Sequence, residues 1–96
     1  MLLPPFKLRE IVKEPQFEDE LRELESDQLR ADEFVEGAEF VLSRNPEYGT
    51  HIGKHVWFLP MWSVSKGKSV SLYYAFDNDR VFLLSLRIAT DDPIEE

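Results

Sequence analysis

The feature that most constrains this chain is a helix stop with three strand-like runs behind it. Residues 32–49 read DEFVEGAEFVLSRNPEYG. Phe34, Val35, Ala38, Val41 and Leu42 form an apolar stripe at helical spacing, while Glu33, Glu36, Glu39 and Arg44 stay on the wet side. Asn45-Pro46 closes the pattern, because a proline ring pushes the residue before it out of the α region. Beyond it lie VWFLPM (56–61), SVSLYYAF (69–76) and RVFLLSLRI (80–88). These runs are rich in β-branched and aromatic residues and are separated by turn formers, which is the signature of strands. Helices followed by a run of strands predict an α+β domain with the helices gathered on one side of an antiparallel sheet. The 96 residues suffice for one such domain and not two.

The first half supplies the other elements. Residues 6–12 (FKLREIV) alternate weakly and read as a first strand. Pro15 ends that strand and suits the first turn of a helix. Phe17, Leu21 and Leu24 then mark one helical face, with Glu18, Asp19 and Glu20 near the positive end of the dipole. Ser26-Asp27 reads as a break and N-cap, and a second helix starts at Gln28 or Ala31 and runs to Arg44. Gly37 lies inside it, where glycine costs about 0.5–1 kcal/mol relative to alanine, so a close approach by another element is one explanation. Pro60 points to a sheet edge or a strand end. The last two runs read as a hairpin around Asp77, Asn78 and Asp79. A three-residue loop over 77–79 would put Phe82, Leu84, Leu86 and Ile88 on the helix side together with Leu72 and Tyr74. A two-residue loop would exchange the faces. The three-residue loop is preferred because it gathers the larger apolar side chains inside and leaves a more polar open face; both faces of 81–86 are still mostly apolar, which points to a central strand. Residues 91–96 read as a loose acidic tail.

Charge is unevenly distributed. The net charge is −8. Residues 1–48 hold six basic and thirteen acidic side chains, giving −7; residues 49–90 hold five and two, giving +3; the tail adds −4. The helical half is therefore acidic and the sheet half mildly basic. There is no cysteine, which excludes disulfides, thiolate metal sites and a cysteine nucleophile. No apolar run approaches the roughly 18–20 residues that span a bilayer. The opening MLLPPF is too short and proline-rich for a signal peptide, so a cytoplasmic protein without membrane association is expected.

Few residue patterns carry chemistry. His51 and His55 stand four apart, a zinc spacing on a helix, but Gly53 between them indicates a loop with two exposed histidines. No Gly-rich phosphate loop and no nucleophile elbow occur, and no cofactor or metal is expected. What remains is a basic, aromatic sheet face. Cleavage of RNA through its own 2′-hydroxyl needs a proton acceptor, cations on the phosphate, an acid for the leaving oxygen and a ring to hold a base. Lys54, Lys66, Lys68, Arg80 and Arg87 can supply charge, Tyr73 can stack or donate a proton, and His51 or His55 can titrate near neutrality.

The order of strand, two helices, Asn45-Pro46, Gly49 and three strands resembles the RelE/ParE superfamily of toxins from bacterial toxin–antitoxin pairs. The last two strands carry the family-like Tyr73, Tyr74 and Phe76, an acidic turn and the run from Val81 to Leu86. The resemblance covers about residues 6–88. It implies an α+β domain with two N-terminal helices on an antiparallel three- to four-stranded sheet, and an antitoxin partner that wraps it. RelE-type relatives cut messenger RNA on the ribosome without a metal; the ParE branch poisons DNA gyrase. By position, the resemblance implies catalytic roles for Lys54, Lys68, Tyr73 and Arg87, with Lys66 and Arg80 against RNA. The chain departs from the ribonuclease pattern in three ways. Ile88-Ala89 stands where a late arginine is expected, no tyrosine follows Tyr74, and the protein is acidic. The expected function is accordingly a toxin-module protein acting through protein partners. A metal-free endoribonuclease is the alternative, and a stand-alone interaction domain is a third reading.

Overall fold

A computed structural model describes residues 8–63 and 67–88. The first strand, β1 (Glu10–Lys13), runs directly into helix α1 (Pro15–Leu24). Pro15 has no N–H, so it can open a helix but cannot extend a ladder, and the change of element falls there. Helix α2 (Gln28–Arg44) begins at Asp27, whose carboxylate accepts from the N–H groups of Leu29 and Arg30 at 3.0 and 3.4 Å. It stops at Asn45 and gives way to a single 3-10 turn (Pro46–Tyr48). Four more strands follow: β2 (Thr50–His51), β3 (Trp57–Ser63), β4 (Lys68–Phe76) and β5 (Arg80–Ile88). No helix among the described residues is long and apolar enough to cross a membrane.

The fold is α+β, with one five-stranded sheet in the order β1-β5-β4-β3-β2. This corrects the expected antiparallel sheet of three or four strands. β2 adds a short edge ladder on Trp57 and Phe58, and β1 pairs with β5 in parallel. The first strand is also shorter than expected, starting at Glu10, and residues 6 and 7 lie outside the described residues. β5 is central, as its apolar residues on both faces predict. Pro60 sits on the stretch of β3 that β2 does not cover, where a missing N–H costs no ladder bond. The proposed tail, 91–96, lies outside the described residues.

The hairpin corrects a second expectation. Asp77 N–H bonds the Arg80 carbonyl at 2.9 Å, and the Asp77 carboxylate accepts from the N–H groups of Asp79 and Arg80, each at 2.8 Å. The Asp77 side chain thus satisfies the turn, and the loop is the two residues Asn78-Asp79. Phe76 faces Val81 and Tyr74 faces Leu83, but Tyr73 faces Ser85. Leu84 is therefore an unmatched bulge residue that reverses the side-chain parity of β5. Val81 and Leu83 point to the helices, with 0% exposure each; after the bulge Leu86 does so too, at 4%. Phe82 and Leu84 are left on the opposite face. The two-residue turn and the bulge together let every interior position of β5 be apolar.

Among the described residues the helices cover one face only. Phe17 and Leu24 of α1 join Val35, Ala38 and Leu42 of α2 against Leu59, Val70, Leu72, Tyr74, Val81, Leu83 and Leu86. Nothing lies within 4 Å of a Cβ built on Gly37, so no close approach explains that glycine. Gly37→Ala is expected to raise stability by about 0.5–1 kcal/mol through helix propensity alone. A urea titration in which the midpoint rises at constant slope checks this.

Candidate functional site

The face of the sheet turned away from the helices is built by alternation. On β3, Leu59 and Met61 pack inward, so Phe58, Pro60 and Trp62 point outward, paired with Tyr73, Ser71 and Ser69 of β4. The Phe58 and Tyr73 rings lie 6.1 Å apart. Tyr73, Leu84, Ser85 and Arg87 line a shallow depression of about 380 Å³ together with Val56 and Gln16. The sheet thus brings Tyr73 and Arg87 together, as the sequence suggested.

The other proposed site residues do not join them. Lys54 is exposed in the loop between β2 and β3, two residues before Val56. Lys68 opens β4, opposite Ser63. It is five residues from Tyr73, about 16 Å at the strand rise, and three residues before Ser71, which faces Arg87, about 10 Å along the strand. Arg80 opens β5, paired at 3.8 Å with Glu10 of β1. It is seven residues from Arg87, about 23 Å along the strand. Lys66 lies outside the described residues. His51 stacks on Trp57 with ring centroids 4.7 Å apart, and both His51 and His55 are exposed. Among the described residues no three or more His, Asp or Glu side chains are grouped to hold a metal.

Glu20 is the residue of this region that sequence reasoning missed. It sits on the second turn of α1, just where β1 has ended and left the rim of β5 open. Its carboxylate accepts from the Leu86 N–H and the Ser85 hydroxyl, each at 2.8 Å, and from the Gln16 amide at 3.2 Å. The Arg87 guanidinium lies 4.0 Å away. Burial pushes the Glu20 carboxyl up, but the Leu86, Ser85 and Gln16 hydrogen bonds and the Arg87 charge outweigh it, and its pKa falls below the ordinary 4.5. The helical periodicity shows Glu20 only as a carboxylate near an N-terminus; its partners are 65 and 66 residues away.

A depressed carboxylate stabilises the fold above its unfolded pKa, and that contribution is lost as pH falls through the folded value. Glu20→Ala is expected to cost about 1–2 kcal/mol at pH 7, because the Leu86 N–H loses its acceptor. The deficit should begin to shrink as pH falls below the ordinary 4.5, where the unfolded chain takes up the proton, and should close as pH falls through the lowered folded value. Urea midpoints measured at pH 7 and pH 3.5 check both statements.

Chemically, the depression offers one phenol, one hydroxyl, one amide and one guanidinium already shared with a carboxylate. That set can bind a planar or polar group. A phosphate would have to share Arg87 with Glu20 and would find no second cation among the lining residues. On the other side of Arg87, a groove of about 450 Å³ has Leu24, Val70, Leu86 and Ile88 as its floor and Glu20 and Glu23 on its rim. The arrangement defines an α+β domain with one helical layer and two shallow surfaces meeting at Arg87. No protein-family model, curated protein or solved structure matches the chain.

Proposed function

We propose that this chain is a RelE/ParE-like toxin-module protein that acts through protein partners, an antitoxin and a cellular target, in the bacterial cytoplasm. The observation that carries the reading is that Arg87, the only cation among the described residues that line the depression, is already shared with Glu20. Arg80 stands seven residues from Arg87 along β5, Lys68 opens β4 three residues before Ser71, the residue opposite Arg87, and Arg87 itself faces Glu20. Phosphate affinity comes from converging Lys and Arg, so this face is a poor RNA clamp. The groove beside it suits a protein segment instead. Its apolar floor can take aliphatic side chains, and Glu20 and Glu23 on the rim favour a basic residue. The strand–helix–helix–strands order supports the family, and the parallel β1 is a departure from the expected sheet.

Induced expression in a bacterial host, with message ends mapped, tests the reading. Growth arrest with intact transcripts is expected, together with co-purification of the neighbouring gene's product. Ile88→Asp, at the exposed end of the groove, should release that partner at least tenfold more readily. Cut transcripts that Tyr73→Phe, Lys68→Ala and Arg87→Ala suppress would install the metal-free endoribonuclease in its place. Normal growth with no retained partner would leave only a stand-alone interaction domain.

A further inference from the structure

We infer that the turn between β4 and β5 is a covalent modification site: Asn78 converts to aspartyl and isoaspartyl forms through the peptide nitrogen of Asp79, and the Asp77 side chain restrains that reaction. The chain has two asparagines, Asn45 and Asn78. Asn45 precedes Pro46, whose ring nitrogen carries no proton and cannot attack a side-chain amide. Asn78 precedes Asp79, which has an ordinary peptide N–H. Asn78 is exposed in the two-residue turn, and its amide has no hydrogen-bond partner among the described residues. Water and the neighbouring nitrogen both reach it.

The reaction needs only the turn and water. The Asp79 nitrogen gives its proton to solvent and attacks Asn78 Cγ, closing a succinimide ring. The Cγ–Nδ2 bond breaks, and the departing nitrogen takes up a proton and leaves as ammonia. Water then opens the ring at either carbonyl. One opening gives aspartate. The other gives an isoaspartyl link, which carries the chain through the former side chain and lengthens the backbone by a methylene. Nothing is oxidised or reduced.

The nitrogen that must lose a proton is the one the turn holds. Asp79 N–H donates to Asp77 Oδ1 at 2.8 Å, and Arg80 N–H donates to the same oxygen at 2.8 Å. The Asp79 bond first, then the Arg80 bond, hold the Asp77 carboxyl below its ordinary range, and the Arg80 and Arg9 charges add to this, so the acceptor is an anion. The other charged groups around it are Asp79 itself and Glu10, which pairs with Arg80; Arg9 Nε donates to the Asp77 carbonyl at 2.8 Å. An anion bonded to the Asp79 N–H opposes its ionisation and cuts the reactive fraction about tenfold. The product alters the sheet. The Asp79 carbonyl accepts from the Glu10 N–H at 2.9 Å, at the start of β1. A longer backbone just before Asp79 moves that carbonyl, so the isoaspartyl form loosens β1 from β5.

Ageing the purified full chain at about pH 7.5 and about pH 9, folded and in guanidinium chloride, is the test. Intact mass reads the exchange of NH2 for OH, peptide mapping places it, and isoaspartyl methyltransferase labels the rearranged product. The expected result is reaction at Asn78 and not at Asn45, faster at the higher pH, and at least about tenfold slower in the folded chain than in denaturant. Asp77→Ala should remove most of that difference. Asp77→Ser keeps a neutral acceptor for the turn and should fall between; circular dichroism confirms that each variant is folded. Hydrogen exchange at Glu10 should rise as the wild-type chain ages and stay constant in Asn78→Gln, whose longer side chain closes the ring far more slowly. Equal rates in folded and unfolded chains, modification at Asn45, or Asp77 variants that age like wild type would each overturn the inference.

Discussion

Replacing Gly49 with alanine is expected to destabilise the protein by about 3 kcal/mol, the upper end for forcing atoms into a filled space. A Cβ at this position would strike the Phe58 carbonyl oxygen and lie 2.6 Å from the Tyr74 hydroxyl. The Phe58 carbonyl is backbone and cannot rotate away. The Tyr74 hydroxyl is no freer. It is fully buried, donates to the Pro46 carbonyl at 2.6 Å and accepts from the Gly49 N–H at 3.1 Å. Burial pushes its pKa up, the Gly49 hydrogen bond pulls it down by less, and Glu47 adds to the rise, so it stays a neutral donor. This phenol ties the turn after α2 to the centre of the sheet. Tyr74→Phe leaves the Pro46 carbonyl and the Gly49 N–H unpaired and should cost about 1–3 kcal/mol. The double variant should lose less than the two single losses together, because both act on one contact. Urea unfolding followed by tryptophan fluorescence measures all three. A Gly49→Ala loss below about 1 kcal/mol would mean the turn does not press on β3.

Phe17→Ala should be at least as damaging, at about 3–5 kcal/mol. Phe17 is wholly buried and anchors α1 between α2 and the sheet. A domain of this size has a total stability of about 5–14 kcal/mol, so the variant forfeits a large share of it. The damage should reach beyond the cavity. Once α1 loosens, Glu20 no longer holds the Leu86 N–H and the Ser85 hydroxyl, and the rim of β5 opens. Hydrogen exchange should therefore rise at Leu86 as well as in α1. The neighbouring Gln16→Ala removes only an exposed amide contact and should stay within about 0.5 kcal/mol of wild type. Equal losses for the two variants would contradict the assignment of Phe17 to the core.

Much of the architecture was legible residue by residue. The α2 stripe, the Asp27 cap, the Asn45-Pro46 stop and the position of Pro15 are local statements, and each depends on neighbours within four residues. The meander was legible because turn formers separate its apolar runs. Three things were not. The two-residue edge strand β2 falls in a stretch that reads as loop, because so short a ladder has no pattern of its own. The parallel pairing of β1 with β5 joins positions about seventy residues apart, and no pattern within FKLREIV selects its partner. The register of β5 depended on a bulge at Leu84, and a run apolar on both faces carries no alternation to reveal one.

The candidate site divides in the same way. Tyr73 and Arg87 were readable as a pair because their strands adjoin in sequence and the parity of their positions places both on the open face. Glu20 was not, for it acts across the space left where β1 stops short of the end of β5. By itself, then, the sequence determined the two helices and where each ends, the three long strands, and that acid gathers in the first half of the molecule. Tertiary structure alone decided which strand lies beside which, which face of β5 is buried, and that Arg87 is shared with Glu20. The physical reason is range: propensity, capping and proline geometry act within a turn of chain, whereas pairing and convergence are chosen by burial among residues that the sequence keeps far apart.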